Sequence, residues 1–572
     1  MFRTHKIQTD DEKTVKLDGK GKTEMTEQEK QLAQQLYEAL QSGKTQMTEQ
    51  EKRLAQQIKQ MKEKTKFMEE ELNDLEDDQQ KKGENEAKGF EVPYDKLMQT
   101  VAKFEPDNNS YVLRNLSNID AVSENQDLAK KLNPRFWDVN IGPKVCSNQL
   151  YSGRCWMFAG LNILVRQLIN CAHFPVTFEL SQTYLFFWHY VEQYNQILTL
   201  FHYNPSLHDP WNDDRNEILA EPLQDGANWI NFYRLVKKYG VVPKASMPET
   251  MSSISSSKMK DILSNMLAND LLEMEQQKWK ETVDTVQTSF NTFRDQKLAV
   301  VVNELCKFMG TPPQTDIIKL HVDTPHTGVR NEVPYVPIEM KTPQHFFARI
   351  NQLTGIANID GVNKEIRPVD VDDLIQIIND PRNDERADSH LSQDKTWYTT
   401  TYQEYHTHPN LLYNLKEMDL IAQLVLTSLK TGRPVWFACN MNTDVDPMRQ
   451  GMAKDLYRPD LFTKYKSGMS KADRMKYGLA HCNHAMLIVG AETAKSDNPN
   501  DPDQVIAFRI ENSWGDSGPH GGFYKMTIDW FKARVYTVVI HEEILSLTLG
   551  DSYKKPTKDQ KLEVIGWKDF FG

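Results

Sequence analysis

The sequence predicts an α+β protein built in two layers, a helical half followed by a β-rich half, with a charged helical extension in front. Three observations carry this reading. Apolar residues from Trp156 to Ile169, Tyr184 to Trp188 and Trp229 to Val236 fall in segments with helical start and stop signals. Short apolar runs bounded by turn residues, the signature of strands, gather after residue 430. Residues 1–88, by contrast, are polar throughout and carry an internal repeat.

The repeat comes first in the chain. Lys22 to Leu36 recurs 22 positions later as Lys44 to Ile58. Each copy opens with a capping box, Thr26 with Glu29 and Thr48 with Glu51, so two helix starts are encoded. Leu32, Leu36 and Leu40, then Leu54, Ile58 and Met61, form a stripe too thin to close a core. The extension is either a solvated helical arm or a docking element. An acidic linker from Glu69 to Asp78 separates it from the body at 89–572.

In the body, a polar loop, Asn148-Gln149-Leu150-Tyr151-Ser152-Gly153-Arg154, runs into Cys155, where a helix apolar on nearly every face begins. Ser181 is the expected cap of a second core helix. A third follows Asn228 and stops at Gly240, with Pro243 beyond. Residues 251–310 read as amphipathic helix, and His345–Leu353, Val371–Ile378 and Leu411–Leu429 as further helices. Helices therefore fill about 89–430. Strands are expected at Pro434–Cys439, Ala485–Gly490, Val505–Ile510, Gly521–Thr527 and Val535–Ile540, filling about 431–550 ahead of a C-terminal arm at 551–572. Such segregation leaves a cleft between the layers.

Bulk properties narrow the function. The formal charge is −12, of which residues 1–90, with 17 basic and 20 acidic side chains, hold little. An acidic body makes nucleic acid a poor partner. No run of about 18 apolar residues exists, so no membrane span is expected. The start of the chain has no apolar leader segment, and six unpatterned cysteines fit reduced thiols in the cytoplasm. His481-Cys482-Asn483-His484 lacks a second cluster to complete a metal site, and no Gly-rich phosphate loop occurs, so neither metal nor cofactor is expected.

Cys155 is the candidate nucleophile, because a thiol in the first turn of a buried helix feels the positive end of the helix dipole. A cysteine hydrolase also needs a base, a group that orients it, and donors for the oxyanion. His484, ahead of an apolar strand, can be the base. Asn512, in Glu511-Asn512-Ser513-Trp514-Gly515, can accept from its ring, and Trp514 can shield that bond. Gln149 can supply an amide N–H beside the Cys155 backbone N–H. Each alone has an ordinary structural explanation; the order Gln, Cys, His, Asn does not arise easily by accident.

Those segments resemble the papain-like cysteine peptidases, and within them the bleomycin hydrolase branch. Phe178-Glu179-Leu180-Ser181-Gln182, Asp225-Gly226, Lys238-Tyr239-Gly240-Val241-Val242-Pro243-Lys244, Asn379-Asp380-Pro381-Arg382 and Pro434-Val435-Trp436-Phe437 also look like that family. The likeness runs from about Phe90 to the C-terminus. His484 follows Cys155 by 329 positions, as a large helical insertion in this branch requires. The resemblance implies a papain-like fold with a β-barrel-like second half. It also implies Cys155 as nucleophile, His484 as general acid/base, Asn512 as orienter and Gln149 as oxyanion donor. It further implies a cytosolic homohexamer acting on peptide substrates, mainly as an aminopeptidase, with bleomycin and homocysteine thiolactone as further substrates. In the family the C-terminal carboxylate, here Gly572, gates the cleft. Two departures stand out: Tyr151-Ser152 and Arg154 replace the family's Cys-Gly and small residue, and the tail after Trp567 is short. The short tail leaves single-residue removal and longer cuts both open. A catalytically idle binding protein on the same fold is the alternative.

Overall fold

The computed structural model describes residues 92–565 apart from 117, 134–135, 143, 173, 278–282, 315, 320–336, 353–354, 360–361, 367–368, 383–393, 401–410, 465–467, 496–501, 558–559 and 561. The repeat in residues 1–88 and the terminal Gly572 lie outside the described residues. Two compact units divide the chain, Met1–Tyr111 and Val112–Gly572, and everything that follows concerns the second.

Helix α1 (Cys155–Ala172) begins at the thiol. Trp156, Met157, Phe158, Leu161 and Val165 on it are wholly buried, each contributing about 1.5–3 kcal/mol by leaving water. Helix α2 (Gln182–Tyr203) starts where expected, the Ser181 hydroxyl accepting the Tyr184 N–H at 3.0 Å. Helix α3 (Trp229–Tyr239) opens on a reciprocal Asn228–Asn231 cap and stops at Gly240, whose φ is 72°. A Cβ there would lie 2.2 Å from the Pro343 backbone, so glycine both ends the helix and admits the neighbouring chain. Residues 251–310 break into Met251–Ile254, α4 (Ser257–Gln276) and α5 (Val283–Met309).

Twelve strands form one sheet. The labelled ones are β1 (Val139–Asn140), β2 (Leu374–Ile378), β3 (Thr396–Thr400), β4 (Leu412–Asn414), β5 (Val435–Cys439), β6 (His484–Ala494), β7 (Gln504–Glu511), β8 (Phe523–Thr527) and β9 (Val535–His541). Spatially they run β8-β7-β6-β5-β9-β2-β4-β3, with β1 on β6. All of these pairs are antiparallel except β2 with β4. Side chains alternate between two cores. Trp436, Ala438, Ala485, Leu487 and Val489 join α1–α3 on one face. Val435, Phe437, Met486 and Ile488 meet α6 (Met418–Lys430) on the other. Covered on both sides, the central strands read as nearly unbroken apolar runs.

The architecture is thus mixed helix and sheet, with corrections to the element map. Val371–Ile378 is not a helix: a single turn, Val371–Asp373, capped by Asp370, leads into β2. Pairing between β9 and β4 overrides its helix-like spacing, burying Ile375 and Ile377. Leu411–Leu429 is likewise divided into β4 and then α6, which starts only at Met418. Strands β2–β4 therefore carry the sheet into the part of the chain expected to be helical. The helix expected at His345–Leu353 is Pro343–Ile350, with the Thr342 side chain accepting from the His345 N–H.

A buried ionic cluster joins the two layers. Glu511, the last residue of β7, accepts Arg166 Nε at 2.8 Å and Asn162 Nδ2 at 2.8 Å, both from α1. Lys144 Nζ lies 3.3 Å from the same carboxylate. Burial alone would raise the Glu511 pKa, but the Arg166 and Lys144 charges outweigh it and hold the carboxyl below its ordinary value. Truncating one member strands the other charge in the core. Arg166→Met is expected to lower unfolding free energy by about 3 kcal/mol, measured as a shifted urea midpoint with unchanged slope.

Candidate active site

The site is assembled by the junction of α1 with β6 and β7. Cys155 is 7% exposed, at the first residue of α1, where the backbone N–H groups have no partner within the helix. His484 opens β6, and its Cα pairs with Cys439 on β5, which fixes the direction of its ring. The imidazole lies close enough to the Cys155 sulfur for the charges of the two groups to act on each other. Its Nε2 lies 2.8 Å from Asn512 Oδ1. The next backbone amide, Ala485 N–H, also points at the sulfur, at 3.4 Å.

Burial alone would raise the Cys155 thiol. The His484 charge, its hydrogen bond and the Ala485 and Trp156 N–H groups outweigh that, so the thiol lies below its ordinary pKa. Burial alone would lower His484, and the sulfur together with Asn512 more than reverses it, raising the imidazole. The two shifts describe one thiolate–imidazolium pair.

Asn512 also accepts the Ser513 N–H at 2.7 Å, which pins its amide oxygen. The Trp514 ring lies 5.0 Å from the His484 ring, tilted by 34°, and remains 39% exposed. Gln149 is buried beside them. Its Nε2 donates to Ser152 O at 2.6 Å, and its Oε1 accepts the Ser513 hydroxyl at 2.5 Å. The Gln149 loop is stitched to the Asn512 loop by backbone bonds, Gln149 N to Ser513 O at 2.8 Å and Gly515 N to Ser147 O at 2.9 Å. Between them Leu150 holds φ 53°, its N–H donating to Asn148 Oδ1 at 3.0 Å in an Asx turn.

The structure thus brings Gln149, Cys155, His484, Asn512 and Trp514 together; Gly572 is not among the described residues. The unexpected Arg154 turns away into the helical layer. It is fully buried, paired with Glu249 at 3.0 Å and lying over the Phe158 and Phe186 rings at 5.3 and 5.0 Å. Ser513, Glu511 and Asp225, which support the site, were not singled out by residue chemistry. A Glu closing an apolar strand, facing Asn162 and Arg166 in an apolar helix, was the legible sign of one of them. Among the described residues no cluster of three or more His, Cys, Asp or Glu is arranged to hold a metal ion. Nor is any described helix long and apolar enough to cross a membrane.

A thiol, an imidazole and an amide held in this order between a helical layer and a sheet define a nucleophile site of the cysteine-peptidase class. The chain belongs to the Peptidase C1-like family, whose sequence model matches residues 91–568. It is similar to aminopeptidase C of Lactobacillus delbrueckii subsp. lactis, at 29% identity over 76% of this chain and 87% of that one. Bleomycin hydrolase of Homo sapiens is 27% identical over 71% of this chain and 82% of its own length. The crystal structure of pepW from Lactobacillus rhamnosis HN001 superposes with a TM-score of 0.69 at 26% identity, covering 84% of this chain and 99% of that one.

The pKa shifts have a direct readout. Alkylation of Cys155 by iodoacetamide should already be fast below the pH at which an ordinary thiol ionises, because the imidazolium favours the thiolate. In His484→Ala only the Ala485 and Trp156 N–H groups are left to oppose burial. The alkylation profile should then move to higher pH, followed by mass spectrometry of the Cys155 peptide.

Proposed function

We propose that the chain is a cysteine aminopeptidase, with Cys155 as nucleophile, His484 as general acid/base, Asn512 as its orienter and Gln149 as oxyanion donor. The observation that carries this is the buried thiol beside an imidazole whose Nε2 meets Asn512 Oδ1 at 2.8 Å. The thiolate adds to the scissile carbonyl carbon, and the carbonyl π electrons move to oxygen. That oxyanion takes N–H bonds from the Cys155 backbone and from Gln149 Nε2, the developing charge such donors stabilise best. Collapse expels the amine, which takes its proton from His484. Water then attacks the thioester with neutral His484 as base, releasing the acid and regenerating the thiol. Trp514 over the ring keeps water from competing for the His484–Asn512 bond.

Action at N-termini is supported by the relatives' names, aminopeptidase C among them. In this reading the fold is the papain-like two-layer one, with residues 251–310 as its helical insertion. In the same reading the Gly572 carboxylate would hold the substrate's amino group, and the protein works as a cytoplasmic homohexamer. Bleomycin, named in the human, mouse and rat relatives, is a second amide substrate to try.

Hydrolysis of an aminoacyl-methylcoumarin amide should fall by at least about 10³-fold in Cys155→Ser and in His484→Ala. Unchanged turnover in either would remove the peptidase assignment. The N-acetylated substrate should resist; equal cleavage of it would leave a peptidase but not an aminopeptidase. For kcat/KM against pH, the expected profile rises as the lowered thiol ionises and falls as the raised imidazole loses its proton, giving a bell. A profile that only rises would contradict a protonated His484 in the acylation step.

A further inference from the structure

We propose that Asp225 is the positioning residue for the oxyanion-binding groups, gripping both flanks of Cys155 and steering the Gln149 amide through one shared peptide plane. The proposal rests on the thiol-peptidase reading above and adds to it a residue that touches neither substrate nor nucleophile.

The peptide between Ser152 and Gly153 is used from both ends. Its N–H, from Gly153, donates to Asp225 Oδ2 at 3.1 Å. Its carbonyl, from Ser152, accepts Gln149 Nε2 at 2.6 Å. A peptide unit is planar and stiff, so its orientation at one end dictates the other. Two residues on from Gly153 is Cys155 itself, and on the far side Trp156 Nε1 donates to the Asp225 backbone oxygen at 2.8 Å. One residue thereby fixes the chain just before and just after the nucleophile. Of the two expected oxyanion donors, the Cys155 backbone N–H lies between these contacts, and Gln149 Nε2 is tied to them through the Ser152 carbonyl.

The Asp225 carboxylate is itself clamped. Tyr190 on α2 donates to Oδ1 at 2.6 Å, and Ser256, just ahead of α4, donates to Oδ2 at 2.5 Å. Lys260 Nζ is 3.9 Å from Oδ1. Burial would favour the neutral acid, but the Ser256, Tyr190 and Gly153 donors and the Lys260 charge outweigh it, and the carboxyl stays ionised as an acceptor. The approach is close: a Cβ at position 153 would stand 2.9 Å from the Asp225 Cβ, so a larger residue there would push the loop off the carboxylate. Asp225 therefore refers the loop's position to α2 and α4, deep in the helical layer.

The test separates oxyanion stabilisation from thiolate reactivity. Alkylation by iodoacetamide is a displacement at carbon that forms no oxyanion, whereas amide hydrolysis does. In Asp225→Ala, kcat for an aminoacyl-methylcoumarin amide should fall about 10²-fold, the usual cost of losing an oxyanion donor. KM and the rate of Cys155 alkylation should stay near wild type. Asp225→Asn keeps an acceptor facing Gly153 and should recover most of kcat. Tyr190→Phe and Ser256→Ala each remove one clamp and should lower kcat partially without altering alkylation; they serve if the alanine variant does not fold. Equal loss of alkylation and turnover would show a merely structural residue and overturn the proposal, as would wild-type kcat in all variants. A wild-type protein that neither hydrolyses the amide nor alkylates at Cys155 would instead defeat the underlying peptidase reading.

Discussion

The site depends on one buried interaction, the Glu511 carboxylate held by Arg166, Asn162 and Lys144. Glu511 ends β7 and directly precedes Asn512, while Asn162 and Arg166 lie two and three turns into the helix that Cys155 begins. The strand carrying the histidine's partner is thereby docked at one register on the helix carrying the thiol. Apolar packing alone would tolerate small slides between a helix and a sheet, since Leu, Ile and Val contacts are not directional. Charge-assisted hydrogen bonds of 2.5–2.8 Å to one carboxylate are directional and do not. Such a cluster is weak evidence of net stability, because desolvating the ions offsets much of their attraction. Its contribution here is alignment.

Around the thiol, burial and pairing work against each other, and pairing wins. A dry interior disfavours any lone ion, and burial pushes Cys439, on the neighbouring strand, well above an ordinary thiol. Cys155, by contrast, faces the imidazole and two backbone amides. Reactivity in this chain is therefore a property of the neighbours rather than of cysteine as such.

Much of this was legible from residue order. The Cys155 helix, the Ser181 cap, the Gly240 stop and the central strands are local features, decided by capping groups and runs that need no distant partner. Cys155, His484 and Asn512 lie at element boundaries, and Gln149 was read from its place in the order Gln, Cys, His, Asn. What local pattern could not supply was tertiary pairing. Val371–Ile378 carries helical spacing, yet becomes strand because β9 and β4 offer partners on both sides. The supports at Asp225, Ser513 and Glu511 were hidden for a similar reason: each acts on a residue tens to hundreds of positions away. Arg154 looked like a defect in a motif until its guanidinium found Glu249 and two phenyl rings.

The paired backbone bonds between residues 147–149 and 513–515 have a mechanical implication. They tie the loop ahead of Cys155 to the turn after Asn512 by main chain, which no rotamer change can release. Heat or denaturant should accordingly part the two loops only by breaking main-chain pairing, not by a side-chain flip.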